Sequence, residues 1–325
     1  MTEPLLSVED LHVWFDLPRG GELHAVQGVS LTVGTGERFG LVGESGCGKT
    51  TTILATMGLL PPNATVAGRV LLDGVDILAQ GEDGARPHRW TDIAMIFQGA
   101  MNALNPVQTV GAQIVEPMEL HGIASGTEAR ARAGELLELV GIPRGGLDRY
   151  PHELSGGMRQ RAAIAMALAC QPRILLADEP TTALDVMVQA QILDLLQSLS
   201  KGFGLTVVFV THDLPLVAQV CDRAAVMYGG ILAETGPVED LYHDPRHPYT
   251  RMLFAAVPDP TGGSEVVSIP GAPPRLDLPI AGCPFAPRCD RAFEPCASVR
   301  PAMIELGPDH EAACHRNDPA AWEVS

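Results

Sequence analysis

Lysine is nearly missing from this 325-residue chain: of its 22 basic residues only Lys49 and Lys201 are lysines. Set against 39 acidic residues, the 22 basic ones leave a net charge of −17. That deficit argues against a nucleic acid as the main partner, because affinity for a phosphate backbone rests on basic patches. No apolar run approaches the ~18 residues of a membrane span, and the start MTEPLLSVED lacks the charged and apolar regions of a secretory signal. A cytoplasmic protein is expected. There is no internal repeat of useful period, and none of the seven cysteines forms a C-x2-C pair. In a cytosolic chain of this size such cysteines are expected as thiols or metal ligands, not disulfides.

What is present alternates between strand and helix patterns. LLSVEDLHVWF and ELHAVQGVSLTV read as antiparallel strands around the turn LPRGG. ERFGLVG (37–43) reads as a buried strand feeding the helix KTTTILATMGLL, which Pro61, Pro62 and Asn63 stop. RVLLDGVDIL predicts a hairpin around Asp73 and Gly74, and DIAMIFQ (92–98) a strand. From about 99 to 170, TVGAQIVEPMEL, TEARARAGELLELVG and the helix after Ser155 space their apolar residues by three and four, which predicts an inserted helical subdomain. RILLAD, DVMVQAQILDLLQSLS, LTVVFVT, LPLVAQVCD and AAVMY then resume the alternation of a mainly parallel sheet covered on both faces. Beyond about 240 the chain turns rich in Pro and Gly, and four cysteines crowd its last 43 residues. So few apolar residues cannot build a large core, and something else must hold this tail.

Two short segments carry the chemistry. GESGCGKT, running Gly43, Glu44, Ser45, Gly46, Cys47, Gly48, Lys49 and Thr50, fits a pattern that a shuffled chain of this composition yields on the order of a few times in a thousand. Its glycines let successive backbone N–H groups turn inward as an anion nest at a helix N-terminus. Lys49 then reaches the β- and γ-phosphates of a nucleotide, and the Thr50 hydroxyl, with Thr51 behind it, is placed for Mg²⁺. The nest and helix terminus also predict a stabilised thiolate at Cys47. In the second segment, RILLAD carries Asp178 toward the Mg²⁺ shell, and Glu179 beside it is suited to orient and polarise the attacking water. His212 and Gln98 each end a predicted strand, where ligands of such sheets bind, although a lone His or Gln there is also ordinary in a structural role. Phe15 or Trp14 could stack on an adenine, and core packing explains either equally well.

Together these segments resemble the ATP-binding cassette of ABC transporters over roughly residues 5–240. Gly43–Thr50 matches the Walker A loop, Ile174–Asp178 with Glu179 matches Walker B and its catalytic glutamate, and LSGGMRQ (Leu154–Gln160) matches the signature motif. Gln98 matches the Q-loop, Ala183-Leu184-Asp185 the D-loop, His212 the switch histidine and Phe15 the A-loop aromatic. The resemblance implies an α/β P-loop (RecA-like) ATPase core with an antiparallel β-subdomain and a helical insertion. It implies Gln98 as a further Mg²⁺ contact and as a catalytic residue alongside Glu179 and His212. It also implies that two cassettes work head to tail, so that Ser155, Gly156 and Gly157 of one close on ATP held by the other.

The stretches AVQGVSL, MIFQGAMNALNP, YPHELSGGMRQR and THDLPLVAQVCDRAAVMYGG, with HPYTRMLFAAVP, PGAPP and GCPFAPRC in the tail, narrow the resemblance to the oligopeptide/dipeptide/nickel importer subfamily. It departs at Gly99, where an acidic residue is usual after the glutamine, and at Cys47 and Thr50, where serines are common. A nucleotide-binding domain of residues 1–240 with a C-terminal extension of 241–325 follows. The implied partners are a second ATPase subunit, two membrane-spanning permeases and an extracytoplasmic binding protein, placing the chain on the cytoplasmic face of the membrane. Cys283, Cys289, Cys296 and Cys314, at intervals of six, seven and eighteen positions, are expected to hold a [4Fe–4S] cluster, as subfamily members are taken to do; a structural zinc is the alternative. A soluble ATPase of the same class acting on nucleic acid or ribosomes is the rival, and the acidic balance and importer-like tail weigh against it.

Overall fold

The computed structural model describes residues 3–100, 103–182, 184–255 and 269–318. Along the chain, strands β1 (Leu6–Asp16), β2 (Glu22–Val33) and β3 (Arg38–Val42) precede helix α1 (Lys49–Thr56), followed by β4 (Ala64–Leu72), β5 (Val75–Asp76), the short α2 (Glu82–Ala85) and β6 (Ile93–Ile96). Helices α3 (Val110–Leu120), α4 (Gly126–Leu139) and α5 (Gly156–Ala167) lead to β7 (Ile174–Asp178), α6 (Val186–Phe203), β8 (Thr206–Thr211), α7 (Leu214–Val220), β9 (Arg223–Tyr228) and β10 (Ile231–Pro237). Then come α8 (Val238–His243), α9 (Pro248–Ala255), β11 (Ile304–Gly307) and β12 (His310–Ala312). The strands and helices expected from periodicity all form, with ends shifted by a few residues. Of the segments expected to carry motifs, Ala183, Met101 and Asn102 and the stretch 256–268 lie outside the described residues.

Two compact units result. The first comprises the described residues of 1–34, 38–81 and 210–325. It contains an antiparallel sheet in the order β2-β1-β4-β5, in which Val8, Leu11 and Val13 of β1 are buried and β1 pairs with β2 from Leu6 opposite Val33 to Asp16 opposite Glu22. The same unit holds strands in the order β11-β12-β10-β9-β3. There β3 and β9 run parallel with Val42 opposite Val226, while β10 runs antiparallel to β9 and to β12. β3 and β9 are buried almost throughout and read as continuous apolar runs, as strands covered on both faces must.

The second unit comprises residues 35–37 and the described part of 82–209. Its strands β8, β7 and β6 are buried at every position, and β6 runs parallel to β7 with Ile93 opposite Ile174. Its helices bury one stripe each: Val110, Ile114, Pro117 and Met118 in α3, and Ala129, Ala133 and Leu137 in α4. Thr109, Ser155 and Asp185 cap α3, α5 and α6 by accepting the backbone N–H three residues on, which satisfies one otherwise unpaired donor per helix.

The tail is held in three ways, two of them beyond apolar packing and all inside the first unit. β12 adds to β10, with Glu234 opposite Ala312 and Thr235 opposite Glu311. The fully buried Glu234 carboxylate accepts the N–H groups of Arg246 and His247 at 2.7 and 2.9 Å and meets His310 Nε2 at 2.8 Å. Phe285, 1% exposed, packs edge-on to Tyr228 at 5.2 Å and against Tyr249 at 5.3 Å. Since this one side chain supplies much of the apolar contact of a core-poor segment, Phe285→Ala is expected to destabilise the tail by about 3–5 kcal/mol. Limited proteolysis and thermal unfolding of the full chain measure it; an unchanged cleavage pattern and transition would show that the tail is held without it.

Candidate nucleotide site

The glycine loop between β3 and α1 is shaped by two backbone approaches. A Cβ on Gly43 (φ +152°) would lie 2.1 Å from the Met227 carbonyl oxygen, and one on Gly48 (φ +107°) 2.6 Å from that of Ala25. Only glycine fits either position. Lys49, 7% exposed, turns back into the loop and donates from Nζ to the carbonyls of Gly43 at 2.6 Å and Glu44 at 3.0 Å. Ser45, Gly46 and Thr50 are exposed, and the first turn of α1 holds no acidic residue. A helix N-terminus with no acidic residue in its first turn and a captive ammonium beside it is an anion-binding arrangement.

Glu44 is held twice from the C-terminal part of the chain. Its backbone N–H donates to the Tyr249 hydroxyl at 2.9 Å, and its carboxylate accepts both arms of the Arg288 guanidinium at 2.6 and 3.0 Å. Arg288 also donates to the Tyr228 hydroxyl at 3.1 Å and to the carbonyls of Pro270 and Ile269 at 2.8 and 3.2 Å. The sequence showed this arginine only within the tail stretch GCPFAPRC; it lies in no nucleotide-binding motif and meets its partner 244 positions away.

In the second unit Asp178 ends β7 at 1% exposure, and Glu179 follows with φ +45°, a left-handed conformation uncommon for a residue with a side chain. The Glu179 carboxylate accepts the Gln98 amide at 2.7 Å and the Thr182 hydroxyl at 2.9 Å, both at Oε2. Two residues singled out from widely separated segments therefore meet directly. Gly99 has φ +68°, a left-handed conformation that glycine adopts without strain. Ser155 begins α5 and accepts the Met158 N–H at 3.3 Å, and Gln160 of the same helix donates to the Pro180 carbonyl at 2.7 Å, tying the signature helix to the turn after Glu179.

Of the remaining sequence candidates, Trp14 stacks on His24 with ring centres 4.6 Å apart and on His12 at 5.3 Å, which leaves Phe15 as the member of the pair outside that stack. His212 is exposed immediately after β8, where Asp213 turns the chain by capping α7. Cys283, Cys289, Cys296 and Cys314 line one small cavity of about 20 Å³. Burial pushes the Cys283 thiol up to about 11 and raises those of Cys289 and Cys314. Among the described residues no group of three or more Cys, His, Asp or Glu is arranged to hold a metal ion. Neither the expected [4Fe–4S] cluster nor its zinc alternative therefore finds an arranged ligand set among the described residues.

Cys47 also departs from expectation. The thiol is 5% exposed, and burial pushes it above the ordinary cysteine range despite the Lys49 ammonium 3.8 Å from its sulfur. Desolvation of the thiolate outweighs the attraction of the nearby cation. Cys47 is accordingly expected to react with iodoacetamide at pH 7.5 at least about tenfold more slowly than an unperturbed cysteine thiol. Peptide mass spectrometry of the native chain follows the rate, and modification as fast as in the unfolded chain would contradict this.

Comparison with known proteins agrees with the geometry. Residues 26–182 match the ABC transporter family model, and residues 233–296 match the oligopeptide/dipeptide transporter C-terminal region. The chain is 48% identical to a probable peptide ABC transporter ATP-binding protein of Sinorhizobium fredii, over 97% of this chain and 95% of that protein. It is also 48% identical to the dipeptide transport ATP-binding protein of Bacillus subtilis, over 98% and 96%. Among solved structures, a dimeric ATP-binding cassette in a post-hydrolysis state with ADP and Pi covers 72% of this chain and 98% of its own at 30% identity and a TM-score of 0.64. Similar along nearly its whole length, the chain belongs to the ABC transporter ATP-binding proteins, in the branch that carries the oligopeptide/dipeptide transporter C-terminal region.

Proposed function

We propose that this chain is the ATP-hydrolysing subunit of an importer for peptides or a related small solute. The observation that carries the hydrolytic half is the Glu179 carboxylate, oriented by Gln98 and Thr182 on a left-handed backbone. A carboxylate held in this way is an acceptor suited to take a proton from a water attacking the γ-phosphorus. The loop N–H groups and Lys49 offset charge on the phosphates, with Lys49 exchanging its carbonyl partners for phosphate oxygens. By their match to the family's motifs, Thr50, Asp178 and Gln98 are each proposed to serve Mg²⁺, which would add positive charge to the phosphate oxygens; hydroxyl, carboxylate and amide oxygens suit that hard cation.

Transport of peptides follows from the relatives, whose names describe peptide and dipeptide transport, and from the match to the C-terminal region. The net charge of −17 disfavours the nucleic-acid alternative. The cassette is taken to end near residue 240, with 99–170 as its helical subdomain and 241–325 as the extension. The Ser155–Gly157 turn of one cassette closes on ATP bound to another, a second ATPase subunit. Val186 and Met187, 78% and 70% exposed beside Asp185, supply apolar surface for that contact. In the second unit, a recess lined by Trp90, Asn105, Gln108 and Leu120 suits contact with permease subunits, with Leu120 74% exposed. Among the described residues no helix is long and apolar enough to cross a membrane, so the chain would attach to the cytoplasmic face through those permeases and receive solute from a binding protein.

The four tail thiols are assigned a [4Fe–4S] cluster. Their presence around one small cavity supports this, since a cubane takes four thiolates. The cluster would act as a cross-link in a core-poor segment.

Glu179→Gln is expected to retain nucleotide and lower ATPase turnover at least about 100-fold, since the amide keeps the shape and loses the base. Lys49→Ala should instead weaken Mg-ATP binding at least about tenfold. Turnover assays and nucleotide titration decide, and parent-like turnover in Glu179→Gln would remove its assigned role. For the tail, anaerobically purified chain should contain about four iron and four acid-labile sulfide per molecule, both lost in Cys289→Ser. Protein free of iron and sulfide under anaerobic handling would refute the cluster.

A further inference from the structure

A carboxylate inside a phosphate loop is an electrostatic liability, because Glu44 is second in a segment whose task is to gather three or more negative charges. Here it is compensated from a distance. Arg288, 9% exposed, places its guanidinium on that carboxylate with two bonds of 2.6 and 3.0 Å, while carbonyls of Pro270 and Ile269 and the Tyr228 hydroxyl take its other donors. The guanidinium lies 5.7 Å from the centre of the Tyr228 ring. Its position is therefore over-determined, and the two parallel bonds make the carboxylate equally fixed. Meanwhile the fully buried Tyr249 accepts the Glu44 N–H, so the loop is gripped by backbone and side chain together. The Glu44 carbonyl is in turn one of the two acceptors of Lys49.

We propose that Arg288 is a positioning residue for nucleotide binding: it neutralises Glu44 and so lets a carboxylate remain beside the phosphates. The proposal rests on the reading of Gly43–Thr50 as the ATP phosphate loop. It makes the C-terminal extension part of the nucleotide site's electrostatics, so that a cassette lacking the extension would carry an uncompensated charge in its phosphate loop.

The test is a charge cycle in the full chain, reading KM for Mg-ATP and kcat separately, with thermal unfolding as the check on folding. Arg288→Gln should raise KM about tenfold, equivalent to about 1.4 kcal/mol, with kcat within about twofold. Glu44→Gln, which leaves the guanidinium uncompensated, should lower KM about threefold, and adding it to Arg288→Gln should recover most of the lost affinity. A purely structural Arg288 predicts the opposite for the pair, since a second substitution in the contact would only add damage. A folded Arg288→Gln with parent-like KM, or a double variant no better than the single, overturns the proposal. If Arg288→Gln does not fold, Glu44→Gln decides alone: KM unchanged or raised overturns it. Lys49→Ala run in parallel separates the two readings. Parent-like hydrolysis there sinks the ATPase assignment, whereas an inactive Lys49→Ala with unmoved Arg288 and Glu44 variants sinks only the role of Arg288.

Discussion

The approach of Gly43 to the Met227 carbonyl is the constraint around which the phosphate loop is built. Parallel pairing of β3 with β9 puts Val42 opposite Val226, and the next residue of each strand leaves 2.1 Å for any Cβ at position 43. The loop is therefore pressed on the sheet end by backbone alone, and Gly48 repeats the arrangement against Ala25 of β2. Between these contacts the loop gives Lys49 two carbonyls to hold it. Any side chain at either glycine would separate the loop from the strands that define its position.

A different economy governs the second unit, where residues that carry the family's motifs also terminate its secondary structure. Ser155 and Asp185 are N-caps of α5 and α6, so their oxygens satisfy helix donors whatever else they do. Glu179 adopts a left-handed backbone between a fully buried strand and the turn that Gln160 braces through the Pro180 carbonyl. Strain at that residue persists because β7 and α5 fix the chain on either side of it.

The C-terminal part shows how a Pro-rich segment becomes ordered with few apolar residues. One inserted phenylalanine, two added strands, the buried carboxylate of Glu234 and the half-buried one of Glu44 do most of the ordering. Each carboxylate is matched by donors, so neither is left unsatisfied. The four thiols gather on one side of that framework.

Local chemistry determined much of this protein directly from its residues. Glycines at 43, 46 and 48 followed by Lys49 admit little other than a phosphate loop, and the apolar periods that placed β3, β7, β8 and α6 answer to backbone geometry within a few residues. Gln98 and Glu179 were each picked out at the end of an expected strand, and the fold shows that the two meet. Other features depended on distance in the chain. That Cys47 is a buried, raised thiol follows from its neighbours in space, and local spacing suggested the reverse. That Arg288 belongs with Glu44 required the fold to bring residues 244 positions apart into contact. Propensity and motif act over a few residues, whereas desolvation and ion pairing are set by whatever the packed chain places alongside, and only the tertiary structure decides that.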